Sequence, residues 1–463
     1  MSWRNNLIRW AQFNPEASNF YVIRPEWVFL IIAAVAGLFV AFLNPPFQSP
    51  DEEAHFFRAY QLSNGTLIAE KSQNQIGGCL PQCILDAWRP FLNIKKIEWA
   101  TVHQLLKEPF VKTPGTFFDF KHTALYSPVA YGPALVGMWC GRAIGFSALG
   151  QLYASRITTL LGWLVVVFFA IRTIPIFKWV MVMIALMPMT VYLSASVSAD
   201  GMTNAMAMLT TALILRSTLA RESAVEPGEW IAITLACVLL ALTKQIYFLI
   251  AFLAFMTPVK RFGGWKMKAM LCLGTIGAAT AANLIWMLLV RNTVAVESWV
   301  NPHEQTVFIL SHPFRYAAFL FENFFNYLST YLIWFVGTLG CLNVNLPEWI
   351  WPTYITGLVA AAFVDKGCGR PLKWSERCLI IGICAASILL IMTSQYILYS
   401  PPAGKILFGV QGRYFIPLAV PGLLAFYNCK LKISEKTYSI IVTAYCITVL
   451  VVTCLKLFDR YYL

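Results

Sequence analysis

Apolar runs long enough to enter a bilayer recur along almost the whole chain, and this limits its fold more than any other feature. They cover residues 27–43, 152–172, 178–197, 202–219, 229–243, 246–258, 268–289, 349–364, 376–397, 414–428 and 437–455. A bilayer core about 30 Å thick takes roughly 20 apolar helical residues to cross. Backbone inside it must also satisfy its own hydrogen bonds, which leaves helices as the natural solution. The chain is 58% hydrophobic and 12% charged, whereas soluble domains carry about 25% charged residues. A soluble enzyme is thereby excluded, and the expected fold is an all-α integral membrane bundle. The net charge of +13 calls for no nucleic acid, because Lys and Arg gather on the cytoplasmic loops of any such protein.

Charge sets the expected topology. Arg4, Arg9 and Arg24 mark a cytoplasmic tail over residues 1–25, and the run 27–43 reads as an uncleaved anchor. Basic connectors follow at Arg172/Lys178, Arg216/Arg221, Lys260–Lys268, Lys366–Arg377 and Lys430–Lys436. They share one side only if residues 129–146, broken by Pro128 and Pro133, do not cross. That piece reads as re-entrant or juxtamembrane, and the aromatic stretch 313–341 as an interfacial or hairpin segment. The expectation is eleven spans with the C-terminus outside, rising to about thirteen if both pieces cross. The bundle occupies residues 26–430 with a large periplasmic loop at 44–128, and residues 431–463 form the last helix and a short tail. No internal repeat suggests inverted halves.

With this topology the polar singularities fall on the outer face. The stretch FQSPDEEAHFFRAYQL, residues 47–62, follows the first span, and Pro45, Pro46 and Pro50 end the helix before Asp51, Glu52, Glu53, His55 and Arg58. Asp200 lies in SASVSADGM, Lys244 and Gln245 in TKQIYF, Gln305 in NPHEQ, and Lys405, Gln411 and Arg413 in AGKILFGVQGRYFIPL. Simpler roles compete: Asp200 as the cap of the following helix, Lys244 as a snorkelling cation, and the five histidines as scattered surface residues without ligand spacing. Cys79 and Cys83, in GGCLPQC, form either a loop disulfide or two free thiols, their spacing being short for a bridge. Arg413 resists a simpler role best. It sits at a span mouth on the side where positive charge is disfavoured, between Gly409 and Gly412. A guanidinium fork there suits a phosphate or carboxylate. Acids beside such cations suit a lipid-linked phosphate, with cations on the leaving group and a carboxylate deprotonating an incoming hydroxyl.

The motifs PDEEAHFFRAYQL, YSPVAYGP, SVSADGMTNA, LTKQIYF, NPHEQ, WFVGTLGCLNVNLPEW and VQGRYFIPL together resemble a family of bacterial multi-spanning membrane proteins of unknown function, domain-of-unknown-function family 2142. That family in turn resembles the GT-C glycosyltransferases, including serotype-converting O-antigen glucosyltransferases. The resemblance covers residues 27 to 430. It implies a GT-C-like polytopic bundle in the bacterial inner membrane with a periplasmic active site. Asp51, with Glu52 beside it, maps onto the presumed catalytic base, Asp200 onto a second acid, and Lys244 and Arg413 onto phosphate-binding cations. Lys405 joins them by sidedness, and His55, Arg58, Tyr126, Tyr131, Gln305 and Gln411 complete the expected substrate-binding set. The sequence reads DEE where related enzymes carry DxD, so neither a metal nor another cofactor is expected. The implied activity is inverting transfer of a sugar, expected to be glucose, from polyprenyl phosphate to O-antigen or another lipid-linked or polysaccharide acceptor. A small flippase and a cytoplasmic-face donor synthase are the implied partners. The competing reading is a transporter or flippase of lipid-linked sugars, which needs cations against phosphate but no base.

Overall fold

A computed structural model describes residues 23–463 apart from 74, 114, 221, 295, 298, 366–369, 402, 403 and 429–432. The expected tail up to residue 22, and Arg221, Lys366, Lys430 and Lys432 of the basic connectors, lie outside the described residues. The protein is an all-α membrane bundle with very little sheet. Among the described residues, five helices are long and apolar enough to cross a membrane: α1 (Pro25–Leu43), α6 (Ala148–Thr173), α11 (Trp265–Leu289), α16 (Trp374–Tyr399) and α18 (Glu435–Tyr462). Their exposed faces carry Ile31, Phe39, Leu161, Leu288, Leu389 and Leu455, an apolar exterior that water would not tolerate but lipid does.

Between α1 and α6 the long loop builds a small layered unit. It contains α2 (Glu52–Ser63), β1 (Glu70–Ser72), β2 (Gln75–Leu80), α3 (Gln82–Trp88), α4 (Trp99–Lys107) and β3 (Thr116–Asp119). The strands form one antiparallel sheet in the order β1-β2-β3. Gly77 lies opposite Asp119, where any Cβ would meet the Phe118 carbonyl oxygen at 1.8 Å. The aromatic side chains of Phe57, Trp88 and Phe118 join α2 to this sheet through edge-to-face contacts. Cys79 and Cys83 are both free, and the Cys83 thiol donates to the Val111 carbonyl at 3.3 Å, so this pair is not a disulfide.

The chain then forms α5 (Pro128–Ile144), which runs beside the N-terminal half of α6. The close approaches are Gly162 to Pro133, Gly137 to Ala154 and Ser155, and Gly141 to Gln151. Short helices α7 (Lys178–Ala185) and α8 (Pro188–Ser194) follow, then α9 (Ala199–Leu219) and α10 (Pro227–Thr243). The next segment, Gln245–Met256, is a 3₁₀ helix. Twelve residues at about 2.0 Å each reach about 24 Å, matching the roughly 25 Å of the 17-residue α10 at 1.5 Å each. The stretched helix explains how so short a run returns from Lys244 to Arg261, which pairs with Glu229 at the start of α10 at 2.9 Å.

After α11 come α12 (Pro302–Ser311), α13 (Pro313–Asn326) and α14 (Leu328–Gly337), the last two separated only by Tyr327 and packing against α16 through Tyr316 and Tyr331. Hairpin β4 (Thr338–Leu339) and β5 (Val344–Asn345) leads to α15 (Ile350–Val364), and a 3₁₀ turn, Gly412–Phe415, opens α17 (Ile416–Leu424).

Polar contacts collect at two poles. At one, the loop pole, lie Asp51, Glu52, Arg156, Asp200, Lys244 and Arg413. The end of α18 reaches the same pole: Arg460 donates to the Lys95 carbonyl at 2.6 Å, and the Ile97 amide to the Tyr461 carbonyl at 2.9 Å. At the opposite pole lie the Arg261–Glu229 pair, the Asp365 carboxylate on the Val180 amide, and Arg377 on the carbonyls of Ala425 and Tyr427.

Candidate functional site

The site begins with a break in α-helical geometry. Asp51 sits at the head of α2 with φ 58° and ψ 19°, a left-handed conformation that Asp tolerates better than most residues. Its carbonyl starts the helix by accepting the His55 amide at 3.0 Å. Its side chain caps no helical amide and instead accepts from Arg413 Nη2 at 2.8 Å. The side chain remains 49% exposed. Glu52, one residue on, faces the other way and is 0% exposed. Its carboxylate accepts from Arg156 Nε at 2.8 Å, from Nη2 at 2.5 Å and from the Val197 amide at 3.0 Å. Arg156 also donates to the carbonyls of Ala41, Asn44 and Pro45. This buried fork ties the end of α1, the start of α2 and the α8–α9 turn into one unit, so Glu52 is engaged structurally and Asp51 is the one of the two acids that meets Arg413.

Asp200 occupies the first turn of α9, but the cap is Ser198, whose Oγ accepts the Asp200 amide at 3.1 Å. The expectation of a capping Asp200 is corrected accordingly. Its carboxylate bonds Lys244 Nζ and lies 3.5 Å from Arg413 Nη1. Lys244 lies at the junction between α10 and the 3₁₀ helix, over the rings of Tyr126 and Tyr414 at 5.4 and 5.0 Å. Arg413, 3% exposed at its side chain, thus stands between two acids and beside a second cation. Its close placement depends on Gly412, whose missing Cβ would fall 2.1 Å from the Tyr331 carbonyl oxygen.

Partial burial alone would push the Asp51 carboxyl up, but the Arg413 guanidinium, assisted by His55, outweighs it and holds the group below its ordinary value. Glu53 goes the other way. Burial, with Asp51 and Glu52 close by, lifts it to about 7 despite one stabilising backbone contact. His55 is buried rather than a scattered surface histidine. Its Nδ1 pairs with the Tyr131 hydroxyl at 2.6 Å, and its ring stacks on Tyr126. Burial pushes it down to about 4, against the pull of Asp51 and Asp200.

Among the described residues, buried Asn204 Nδ2, Gln411 Oε1 and Arg413 Nε near this group have no hydrogen-bond partner, and Asp200 Oδ2 and Arg413 Nη1 have only their mutual ion pair at 3.5 Å. Asn204 follows Asp200 by one helical turn, on the same face of α9. Buried polar groups left without a hydrogen bond are costly, so each of these calls for an explanation.

Residues 34–421 match the model of a family described as predicted membrane protein (DUF2142). The chain belongs to that family. No curated protein and no solved structure gives a significant match. The matched range contains every residue of the cluster and stops short of α18.

The other expected residues divide. Arg58 donates to Gln61, to the Leu67 carbonyl at 2.7 Å and to the Tyr126 carbonyl at 3.3 Å, so it positions Tyr126. Gln305 is buried and donates to the Ser400 carbonyl, joining α12 to the end of α16. Lys405 has an exposed side chain and meets the bundle through its backbone carbonyl, which accepts from Asn323. Neither residue joins the Asp51–Arg413–Asp200–Lys244 group. Sequence reasoning missed Arg156, Tyr414 and Asn204. Arg156 carried a signal, being a cation well inside the apolar run 152–172 rather than at its end like Arg172.

Proposed function

We propose that this protein is an inverting membrane glycosyltransferase that moves a sugar, glucose in the first instance, from polyprenyl phosphate to a hydroxyl of O-antigen or another lipid-linked or polysaccharide acceptor. Its active site would face the periplasm of a bacterial inner membrane. The observation that carries this reading is the pairing of two cations, Arg413 and Lys244, with two carboxylates at one pole, only one of which, Asp51, is substantially exposed. Without substrate the acids neutralise the cations. A donor phosphate at Arg413 and Lys244 displaces Asp51 from the guanidinium, and the freed carboxylate recovers the basicity that the ion pair suppresses. Asp51 then takes the proton of the acceptor hydroxyl as its oxygen attacks the anomeric carbon. The carbon–oxygen bond to phosphate breaks, and the departing polyprenyl phosphate carries its charge onto the two cations.

An apolar groove of about 270 Å³ supports the lipid half of this reading. Tyr331, Phe335, Leu358, Ile388, Phe415 and Leu418 line it. Phe415 and Tyr331 are in ring contact, and Gly412 packs on the Tyr331 carbonyl, so the groove opens next to Arg413. A prenyl chain lying there would present its phosphate to the guanidinium.

The test is sugar transfer from a polyprenyl-phosphate donor by membranes carrying equal amounts of Asp51→Asn or wild-type protein. Loss of general base catalysis should cost about two to four decades in rate, with donor binding retained. Full activity in Asp51→Asn removes the base and favours a transporter. Reporter fusions at His103 and after Lys268 should lie on opposite sides of the membrane, and a cytoplasmic His103 ends the periplasmic mechanism.

A further inference from the structure

The pole opposite the candidate site holds a charged cavity that the proposed transfer does not use. It has a volume of about 480 Å³ and lies where the end of the 3₁₀ helix meets the starts of α11 and α16. Lys260, Lys268, Arg370 and Lys373 line it, with Glu376 as the only acid among the described residues there. Glu376 is already engaged: it accepts both Arg370 nitrogens and the Lys373 amide. Lys268 is buried, 7% exposed, with its Nζ donating to the Phe255 carbonyl at 2.8 Å. An ammonium has three donors, so two remain for a ligand. Lys260 and Lys373 are exposed, and neither has an acid partner among the described residues.

The remaining wall is apolar, with Phe255, Val259 and Leu379 beside the cations. A soluble anion has no use for that wall. A phospholipid does, because its phosphate sits next to its own glycerol and acyl carbons. Basic pockets between membrane helices bind anionic headgroups for this reason.

We propose that this cavity binds the phosphate of an anionic phospholipid in the leaflet at that pole, with Lys260, Lys268 and Lys373 on the phosphate and Phe255 and Leu379 against the glycerol and acyl chain. The Arg370–Glu376 pair fixes the start of α16 and so holds Lys373 in place. The site is independent of the transfer reaction and stands whether or not that reading holds.

The experiment uses the full-length protein in mixed micelles with phosphatidylglycerol, phosphatidylcholine or inorganic phosphate, and counts retained lipid by native mass spectrometry. Wild-type protein should retain phosphatidylglycerol over phosphatidylcholine, and inorganic phosphate at equal concentration should not displace it. Lys260→Gln/Lys373→Gln removes two exposed, unpaired charges and leaves the fold intact. It should lower phosphatidylglycerol retention roughly 25-fold, at about fivefold per cation. Arg413→Ala should leave retention unchanged. Equal retention by the double variant, equal retention of phosphatidylcholine, or displacement by inorganic phosphate would each overturn the proposal. So would an equal loss in Lys71→Gln/Lys112→Gln, which removes two exposed charges from the long loop.

Discussion

Asp51 and Glu52 are neighbours in sequence and point to different tasks, so removing each charge should fail in a different way. Glu52→Gln keeps the shape and deletes the anion. Arg156 is then left fully buried with only the carbonyls of Ala41, Asn44 and Pro45, at 2.8, 2.7 and 2.9 Å. Breaking a buried ion pair from one side costs about 3–5 kcal/mol. The three remaining carbonyls place this case near 3. Over 463 residues, an unfolding entropy of about 2.1 cal/mol/K each gives roughly 1 kcal/mol per kelvin, so the midpoint should fall by about 3 °C or slightly more. A thiol-reactive dye reads the transition, because Cys237, Cys272 and Cys446 are buried until the bundle opens. Glu52→Gln/Arg156→Met removes both charges and should recover part of the loss, since no orphaned ion remains. Asp51→Asn should unfold with the wild type, its side chain being half exposed. If Glu52→Gln melts with the wild type yet abolishes transfer while Asp51→Asn transfers normally, the roles are reversed and this reasoning is wrong.

Arg413→Ala should lower kcat/KM for the polyprenyl donor by about one to two decades, the worth of a charge-assisted contact of roughly 1.5–3 kcal/mol, and Arg413→Lys should restore only part because the fork is lost. Steady-state transfer against donor concentration checks both. Glu53 has its folded value raised from 4.5 to about 7, so the folded protein binds the extra proton between those values. Stability contributed there is full below pH 4.5 and declines as pH rises toward 7. Glu53→Gln should flatten that decline in melting curves taken from pH 5 to 8. Gly412→Ala places a methyl 2.1 Å from the Tyr331 carbonyl oxygen and 2.4 Å from the Phe335 amide nitrogen. It should therefore displace Arg413 and reduce donor binding in a direct lipid-binding assay, while the Glu52–Arg156 unit and the long loop keep their protease resistance.

The membrane character and the candidate acids could be read from the chain because both are local. A run such as residues 376–397 states its own hydropathy, and PDEE directly after α1 places charge at a helix end. What could not be read is which acid meets which cation. Glu52 finds Arg156 across 104 residues of sequence, and Asp51 finds Arg413 across 362. Pairings over such distances depend on how the helices pack, and nothing in DEE distinguishes the inward carboxylate from the outward one. The positive φ of Asp51 makes that distinction, and residue type alone does not announce it. Ser198 displaced Asp200 as the cap for a related reason: both can serve, and the start of α9 decides. Lys405 was grouped with the cations by side of the membrane, which fixes depth but not position around the bundle.

The 3₁₀ helix Gln245–Met256 has a mechanical consequence for the cluster. It is a strut drawn out by about 0.5 Å per residue relative to an α-helix, or about 6 Å over its twelve residues. One end is clamped by Arg261 to Glu229, and the other carries Lys244. Rewinding to α-geometry would shorten the strut by roughly one α-turn and draw the ammonium off Asp200 toward the bundle centre. The packing of α9, α10, α11 and α16 around it therefore does more than fill space. It keeps the segment extended and Lys244 at the height of Arg413, and a change in that packing far from the acids would detune the cluster without touching any of its members.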